Sequence, residues 1–393
     1  MLVIDAVVVV VLVVAIVVGA ARGLVASLGT IAGLVLGGFL AAWLVPLAGP
    51  LLISIVPDAL WRSVVSAALA IGIVVACAAI GSAIGRAVRR GVDAVKLSVL
   101  DRGLGALAGA AATALVLLMV GQSVVAAGVP VIAPAVASSR VLGWIDALTP
   151  PPVDTALAQV RSLVIDEGLP TLGELLDVQA TSTAPPVALD DPALQAAAGS
   201  VARISGTAYA CGVSMTGSGF IVADDLLATN AHVVAGVDSP VVELPGREAR
   251  EGRVVYFDAV DDIALVSVDG LDAPALDRVD LSPGDSAVVQ GYPHGGPFTS
   301  TGASVLSVGV VPVPDIYDTG VAPREIYSLA ADVQPGNSGG PLLTAAGDVA
   351  GIVFARGEDG AGRGYAITMA ELEPALAAIA AGSATVASGS CTA

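Results

Sequence analysis

Histidine is almost missing from this chain: 393 residues hold only His232 and His294. Cysteine is nearly as scarce, at three, and charged residues make up 13%, about half the usual quarter. These shortages exclude whole classes of function. No cluster of His, Cys or carboxylates has metal-ligand spacing, so neither a metal nor another cofactor is expected. Lys and Arg number 17 against 35 Asp and Glu, a net charge of −18. Phosphate binding needs clustered basic residues, so nucleic acid is not an expected partner.

Apolar residues take the place of charge, at 55% of the chain, and the remaining charge is split unevenly. Residues 1–126 carry seven basic and four acidic residues, or +3, which leaves −21 for residues 127–393. "LVIDAVVVVVLVVAIVVGAA" (2–21) has one charge, Asp5, near its start. At about 1.5 Å per helical residue it crosses a hydrocarbon core of about 30 Å. It lacks the basic n-region of a signal peptide and its apolar run is too long for one. Three further runs follow at about 24–46, 62–85 and 103–126. The second and fourth are rich in Gly and Ala, which suits close helix packing in lipid.

Residues 1–126 therefore read as a transmembrane domain of four helices. "RAVRRGVDAVKLSVLDR" (86–102) holds five basic residues, which marks it as cytoplasmic. Arg22 falls on the same side. The N-terminus and everything after residue 126 then lie outside: a multi-pass cell-membrane protein with a large acidic extracytoplasmic part. Asp5 at the membrane edge either has a function or faces headgroups. Asp5, "GAARGLVASLG" (19–29) and "LDRGLGALAG" (100–109) resemble the colicin V production family, which implies a four-helix inner-membrane unit.

Residues 127–197 form an extracytoplasmic linker punctuated by "PPPV" (150–153), "TSTAPP" (181–186) and "LDDP" (189–192). It is expected to be partly helical, over 153–169 and 172–178, and most flexible near 179–190.

From about residue 198 to 393, short β-rich runs alternate with turn signals, the mark of an all-β sandwich or barrel. Here the scarce histidine acquires partners. "LLATNAHVVAG" (226–236) carries His232, "DAVDDIALVSVD" (258–269) carries Asp261 and Asp262, and "VQPGNSGGPLL" (333–343) carries Ser338. Acyl transfer needs such a set. A serine hydroxyl is a weak nucleophile until an imidazole takes its proton. A carboxylate fixes the imidazole tautomer and stabilises the imidazolium. The developing oxyanion needs preorganised N–H donors, which a Gly-x-Ser turn supplies from Gly336 and Ser338, with Asn337 between them. Asp262 is preferred to Asp261 because it directly precedes "IALV".

The stretches "GSGFIV" (217–222), "ATNAHVV" (228–234), "DDIALV" (261–266) and "GNSGGPLL" (336–343) resemble the chymotrypsin-like serine proteases, in the branch shared with HtrA-type enzymes. The resemblance covers about 198–380. It implies two β-barrels with the active site between them, His232 as general base, Asp262 as its orienter and Ser338 as nucleophile. It departs from typical HtrA enzymes in that no PDZ domain is expected after residue 380. Four helices and a protease domain look more specifically like the MarP-type membrane serine proteases of actinobacteria. That likeness implies protein or peptide substrates, cell-wall enzymes among them, and a role in acid and oxidative stress. The competing reading is a membrane transport or scaffold protein whose protease-like domain binds without catalysis.

Three residues stand outside this set. His294, in "GYPHGGP" (291–297), reads as a surface-loop residue. Asp332 lies six residues before Ser338, where trypsin-like enzymes place a pocket carboxylate, but no disulfide fixes that register and "GIVFARG" (351–357) points to a partly apolar wall. Cys77 sits in the third membrane run, which leaves Cys211 and Cys391 outside the membrane, where disulfides persist. A bridge between them is expected. It resembles the tail-tethering disulfide of the MarP-type enzymes and would hold a small-residue tail that otherwise frays.

Overall fold

The computed structural model describes residues 2–24, 26–33, 75–85, 98–126, 132–150, 170–172, 187–208, 213–357, 362–379 and 384–392, with single positions between them. Two compact units are present, Leu2–Leu118 and Met119–Ala393.

In the first unit, α1 spans Leu2–Arg22 and α2 spans Ser98–Ala126. The helix expected at 103–126 thus starts five residues earlier, and the two units divide inside it. Asp5 in the first turn of α1 and Arg22 in its last both complement the helix dipole. The stretches Val3–Arg22 and Val99–Gly121 have mean hydropathies of 3.1 and 2.1, and each is long and apolar enough to cross a membrane. Only 11% of either is buried, whereas a core helix of a water-soluble protein hides most of its surface. Of the second and third expected spans, residues 26–33 and 75–85 are helical and most of the rest lies outside the described residues.

Glycine makes the contacts in this unit. A Cβ on Gly105 would meet Gly19 O at 2.5 Å, and one on Gly109 would meet Ala15 O at 2.9 Å. Gly29 faces Gly81, and Gly33 faces the Cys77 backbone, just as closely. Backbones in lipid attract one another through such small-residue contacts.

The second unit begins with α3 (Ile132–Ala137) and α4 (Arg140–Leu148). Ser139 caps α4 by accepting from Leu142 N–H at 3.2 Å. Thr171–Leu172 form β1, a short strand at the position where a helix over 172–178 was expected; residues 173–178, and most of 153–169, lie outside the described residues. Asp191 and Pro192 then start α5 (Pro192–Ala198) as N-cap and first helical residue.

Two seven-stranded sheets follow. The first has the order β6-β5-β2-β3-β4-β8-β7, from β2 (Val201–Ala208), β3 (Val213–Ala223), β4 (Leu226–Thr229), β5 (Val241–Glu243), β6 (Arg250–Glu251), β7 (Arg253–Asp258) and β8 (Ile263–Ser267). A single helical turn, α6 (Ala231–Val234), follows β4. The second has the order β1-β13-β12-β9-β10-β11-β14, from β9 (Ser286–Gly291), β10 (Thr299–Pro314), β11 (Val321–Ala330), β12 (Pro341–Leu343), β13 (Val349–Gly357) and β14 (Arg363–Thr368). Because β14 pairs with both β11 and β13, this sheet returns on itself. A final helix, α7, covers Met369–Ala378.

Each sheet has its own core: Ile204, Ile221, Leu227 and Val266 in the first, Val289, Leu329, Leu342 and Val353 in the second. A third cluster joins them, with Phe220 and Leu265 from the first sheet against Ile326, Ile352, Phe354 and Tyr365 from the second. These side chains are fully or nearly fully buried. At about 25 cal/mol per Å² of apolar surface, such burial is the main force holding the two sheets face to face.

Candidate active site

Sheet register brings His232 to Asp262. Strands β4 and β8 run antiparallel with Thr229 opposite Ala264. The residues just after β4 and just before β8 therefore meet at one end of the sheet. Asn230 starts the turn α6 that carries His232, and Asp262 sits at φ 56, a left-handed conformation that Asp tolerates better than most residues. The Asp262 carboxylate accepts from His232 twice. The backbone N–H lies 3.0 Å from Oδ1, and ring Nδ1 lies 2.8 Å from Oδ2. Asn230 Nδ2 donates to the Asp262 carbonyl at 2.9 Å and locks the turn. With an acidic acceptor on Nδ1, the proton sits on that nitrogen and Nε2 carries the lone pair.

Both side chains are only 4% exposed, and His232 Nε2 is buried without a partner among the described residues. Asp261 is not the residue that His232 bonds. Its N–H donates to Asp258 Oδ1 at 3.1 Å, and partial burial, with Asp258 and Glu371 nearby, raises its pKa above the usual carboxylate range.

Ser338 belongs to the second sheet, in the turn that enters β12. It is fully buried, and its Oγ also lacks a partner among the described residues. Strand β3 meets both turns at Gly217: a Cβ there would lie 2.7 Å from Val233 Cγ1 and 3.1 Å from Ser338 O, so only glycine leaves room for the histidine turn and the serine turn together. In the serine turn Gly336 has φ +90, and Asn337 N–H donates to Gln334 O at 3.0 Å. Among the described residues, no acceptor within the chain takes the Gly336 or Ser338 N–H.

The expected residues outside this set fall as follows. Asp332 is exposed and accepts from Gln334 Nε2 at 2.5 Å. His294 is half-buried in a tight turn at φ 54, and its N–H donates to Pro335 O at 2.7 Å. It thus braces the serine turn through its backbone, a role that no motif spacing advertises. Cys77 is a free thiol. Cys391 is disulfide-bonded, with its Sγ close to Gly236, just past α6; Cys211 lies outside the described residues. The tail is also held by its backbone. Gly236 N–H donates to Ser388 O and Val386 N–H to Val254 O, both at 2.9 Å, and Tyr317 Oη donates to Ser390 O at 3.0 Å.

Comparison with known proteins places this geometry in a class. Residues 217–352 match the trypsin-like peptidase domain, and residues 4–150 match colicin V production protein. The chain carries a trypsin-like peptidase domain and, ahead of it, a colicin V production domain. It is similar to the serine protease Rv3671c of Mycobacterium tuberculosis H37Rv, at 35% identity over 258 residues. Serine protease MT3772 of strain CDC 1551 matches to the same extent. The matched stretch covers 64% of this chain and spans 65% of the length of these curated relatives. The crystal structure of the Rv3671c protease in its active form aligns over 56% of this chain and 100% of its own, with 33% identity and a TM-score of 0.51.

Proposed function

We propose that this protein is a membrane-anchored serine endopeptidase that hydrolyses peptide bonds through His232, Asp262 and Ser338. The observation that carries the proposal is that His232 Nε2 and Ser338 Oγ are both buried and without a hydrogen-bond partner among the described residues, while Asp262 holds the other nitrogen of the imidazole. In the proposed reaction Ser338 Oγ attacks the scissile carbonyl and its proton passes to Nε2. Asp262 stabilises the imidazolium, and the Gly336 and Ser338 amides, with Asn337 between them, receive the oxyanion. His232 returns the proton to the leaving amine. Water then takes the place of the amine and attacks the acyl carbon as Nε2 accepts its proton; Nε2 returns that proton to Ser338 Oγ as the C–O bond breaks and the acid leaves.

The finer architecture belongs to the same proposal. Residues 1–126 form four transmembrane helices, 127–197 a linker, and 198–393 a double β-barrel outside the membrane, closed at its tail by a Cys211–Cys391 bridge. The acidic charge of the C-terminal part, the basic loop at 86–102 and the bonded state of Cys391 support this arrangement. Protein or peptide substrates, cell-wall enzymes among them, and a role under acid or oxidative stress rest on the family likeness. The full chain in detergent micelles should cleave an unfolded protein such as casein, and Ser338→Ala should not. A wild type that binds casein and leaves it intact would instead identify a non-catalytic binding domain on a membrane anchor.

A further inference from the structure

Ser218 sits in β3, in the first sheet, and spends every polar atom on the site. Its N–H donates to Ser338 O at 2.7 Å. Its carbonyl accepts from Thr229 Oγ1 at 2.7 Å, three residues before His232. Its hydroxyl accepts from Tyr292 N–H at 2.9 Å and donates to Gly336 O at 2.7 Å. The residue is fully buried, so each of these bonds forms away from competing water.

The last bond matters because of where a peptide plane puts its other edge. A trans peptide holds C=O and N–H on opposite sides. With Gly336 O drawn to Ser218, the Asn337 N–H points the other way, into its bond with Gln334 O. With Pro335 O drawn to the His294 N–H, the Gly336 N–H likewise points away from His294. The two planes on either side of Gly336 are therefore pinned, one by the Ser218 hydroxyl and one by the His294 amide. Gly336 itself supplies little restraint, since glycine at φ +90 rotates without steric penalty. Tyr292 N–H, which Ser218 also holds, lies two residues before His294. The hydroxyl thus fixes the Gly336 carbonyl directly and steadies the turn that fixes the Pro335 carbonyl.

We propose that Ser218 is the positioning residue for the oxyanion turn: its hydroxyl pins the Gly336 carbonyl directly and, through the Tyr292 amide, steadies the His294 turn that keeps the Gly336 N–H free and aimed where negative charge develops. The inference rests on the peptidase reading above. Removing one oxyanion donor outright costs about 10²–10³ in kcat; a donor that is present but loosened costs less, about tenfold to a hundredfold.

The test compares full-length wild type, Ser218→Ala and Ser218→Cys in detergent micelles, each scored for folded fraction by circular dichroism. Cysteine still fills the site while weakening the donor, so it separates loss of the hydrogen bond from loss of packing. The readouts are kcat and KM on a peptide amide and the Kd of a peptide boronic acid, whose tetrahedral adduct occupies the oxyanion position. The expected result for Ser218→Ala is a kcat lower by about tenfold to a hundredfold, KM within twofold, and a boronate Kd raised by the same factor as kcat falls. Ser218→Cys shifts both in the same direction by less. Folded variants whose kcat and boronate affinity stay within twofold of wild type overturn the inference, and so does a loss that appears only in KM. A wild type that neither cleaves nor binds the boronate overturns the peptidase reading itself, and this inference with it.

Discussion

The two compact units are built inside out with respect to each other. In Leu2–Leu118 the apolar side chains face outward: Val3 is 76% exposed, Val10 61% and Val99 83%. The contacts between helices fall to glycines whose backbones touch, as Gly19 and Gly105 do. In the β-rich unit the large apolar side chains, Phe220, Ile263, Leu265 and Ile326, are fully or nearly fully buried, and the surface carries the acidic charge. Water drives the second arrangement, because burying apolar area is favourable only where the alternative is hydration. Lipid removes that drive and leaves packing between small residues. Apolar side chains therefore turn outward in one unit and inward in the other.

The comparison predicts that chemistry and anchoring separate cleanly. The largest expected effect is that of Ser338→Ala. It should lower kcat by about 10⁶ and leave membrane extraction unchanged, as turnover assays and fractionation on the same preparation would read. Next is Asp262→Asn, which should lower kcat by roughly 10⁴ because the amide favours the wrong imidazole tautomer. Asp261→Asn should leave kcat within a few fold, since His232 bonds the Asp262 carboxylate and not that of Asp261; if the two mutants exchanged phenotypes, the assignment of the orienting carboxylate would be wrong. A smaller effect is expected in the other unit. Gly105→Leu has no room against Gly19 and should destabilise the helical unit by about 1–3 kcal/mol. Thermal unfolding of the full chain in detergent should show that loss, with peptidase turnover unchanged.

The smallest prediction concerns pH. The folded pKa of Asp261 is raised by partial burial, with Asp258 and Glu371 adding to it. A carboxyl with a raised folded pKa favours the folded state when protonated, and that contribution is lost as pH rises through the folded value. Asp261→Asn should therefore gain stability at neutral pH, by no more than about 0.5 kcal/mol for a half-exposed group. The gain should vanish below the unfolded pKa of about 3.9, as denaturant melts at pH 3 and pH 7 would show.

The parts of this molecule that could be read from sequence are those in which local pattern and tertiary role coincide. The approach of His232 to Asp262 is one: each sits in a short stretch, "ATNAHVV" and "DDIALV", at the end of a strand, and the two strands pair. Strand β10 was not expected, although it is 16 residues long, because Gly302, Gly309, Pro312 and Pro314 fall within it and read as turn signals. Its pairings with β9 and β11 override those local preferences. Helix α7 was missed because Pro374 interrupts a short run. Ser218 stood in full view in "GSGFIV", yet its part in the site depends on Tyr292 and Gly336, 74 and 118 residues away. No local pattern encodes a partner at that distance.

The central claim is that the buried Ser338 hydroxyl, which has no partner among the described residues, is a nucleophile made reactive by His232. The most direct test is labelling of the full chain with a fluorophosphonate probe, followed by peptide mapping of the adduct. The account predicts one adduct per chain, on Ser338, formed by wild type and absent from Ser338→Ala, with its rate of formation sharply reduced in Asp262→Asn. A folded wild type that takes up no probe, or takes it up on another residue, would contradict it.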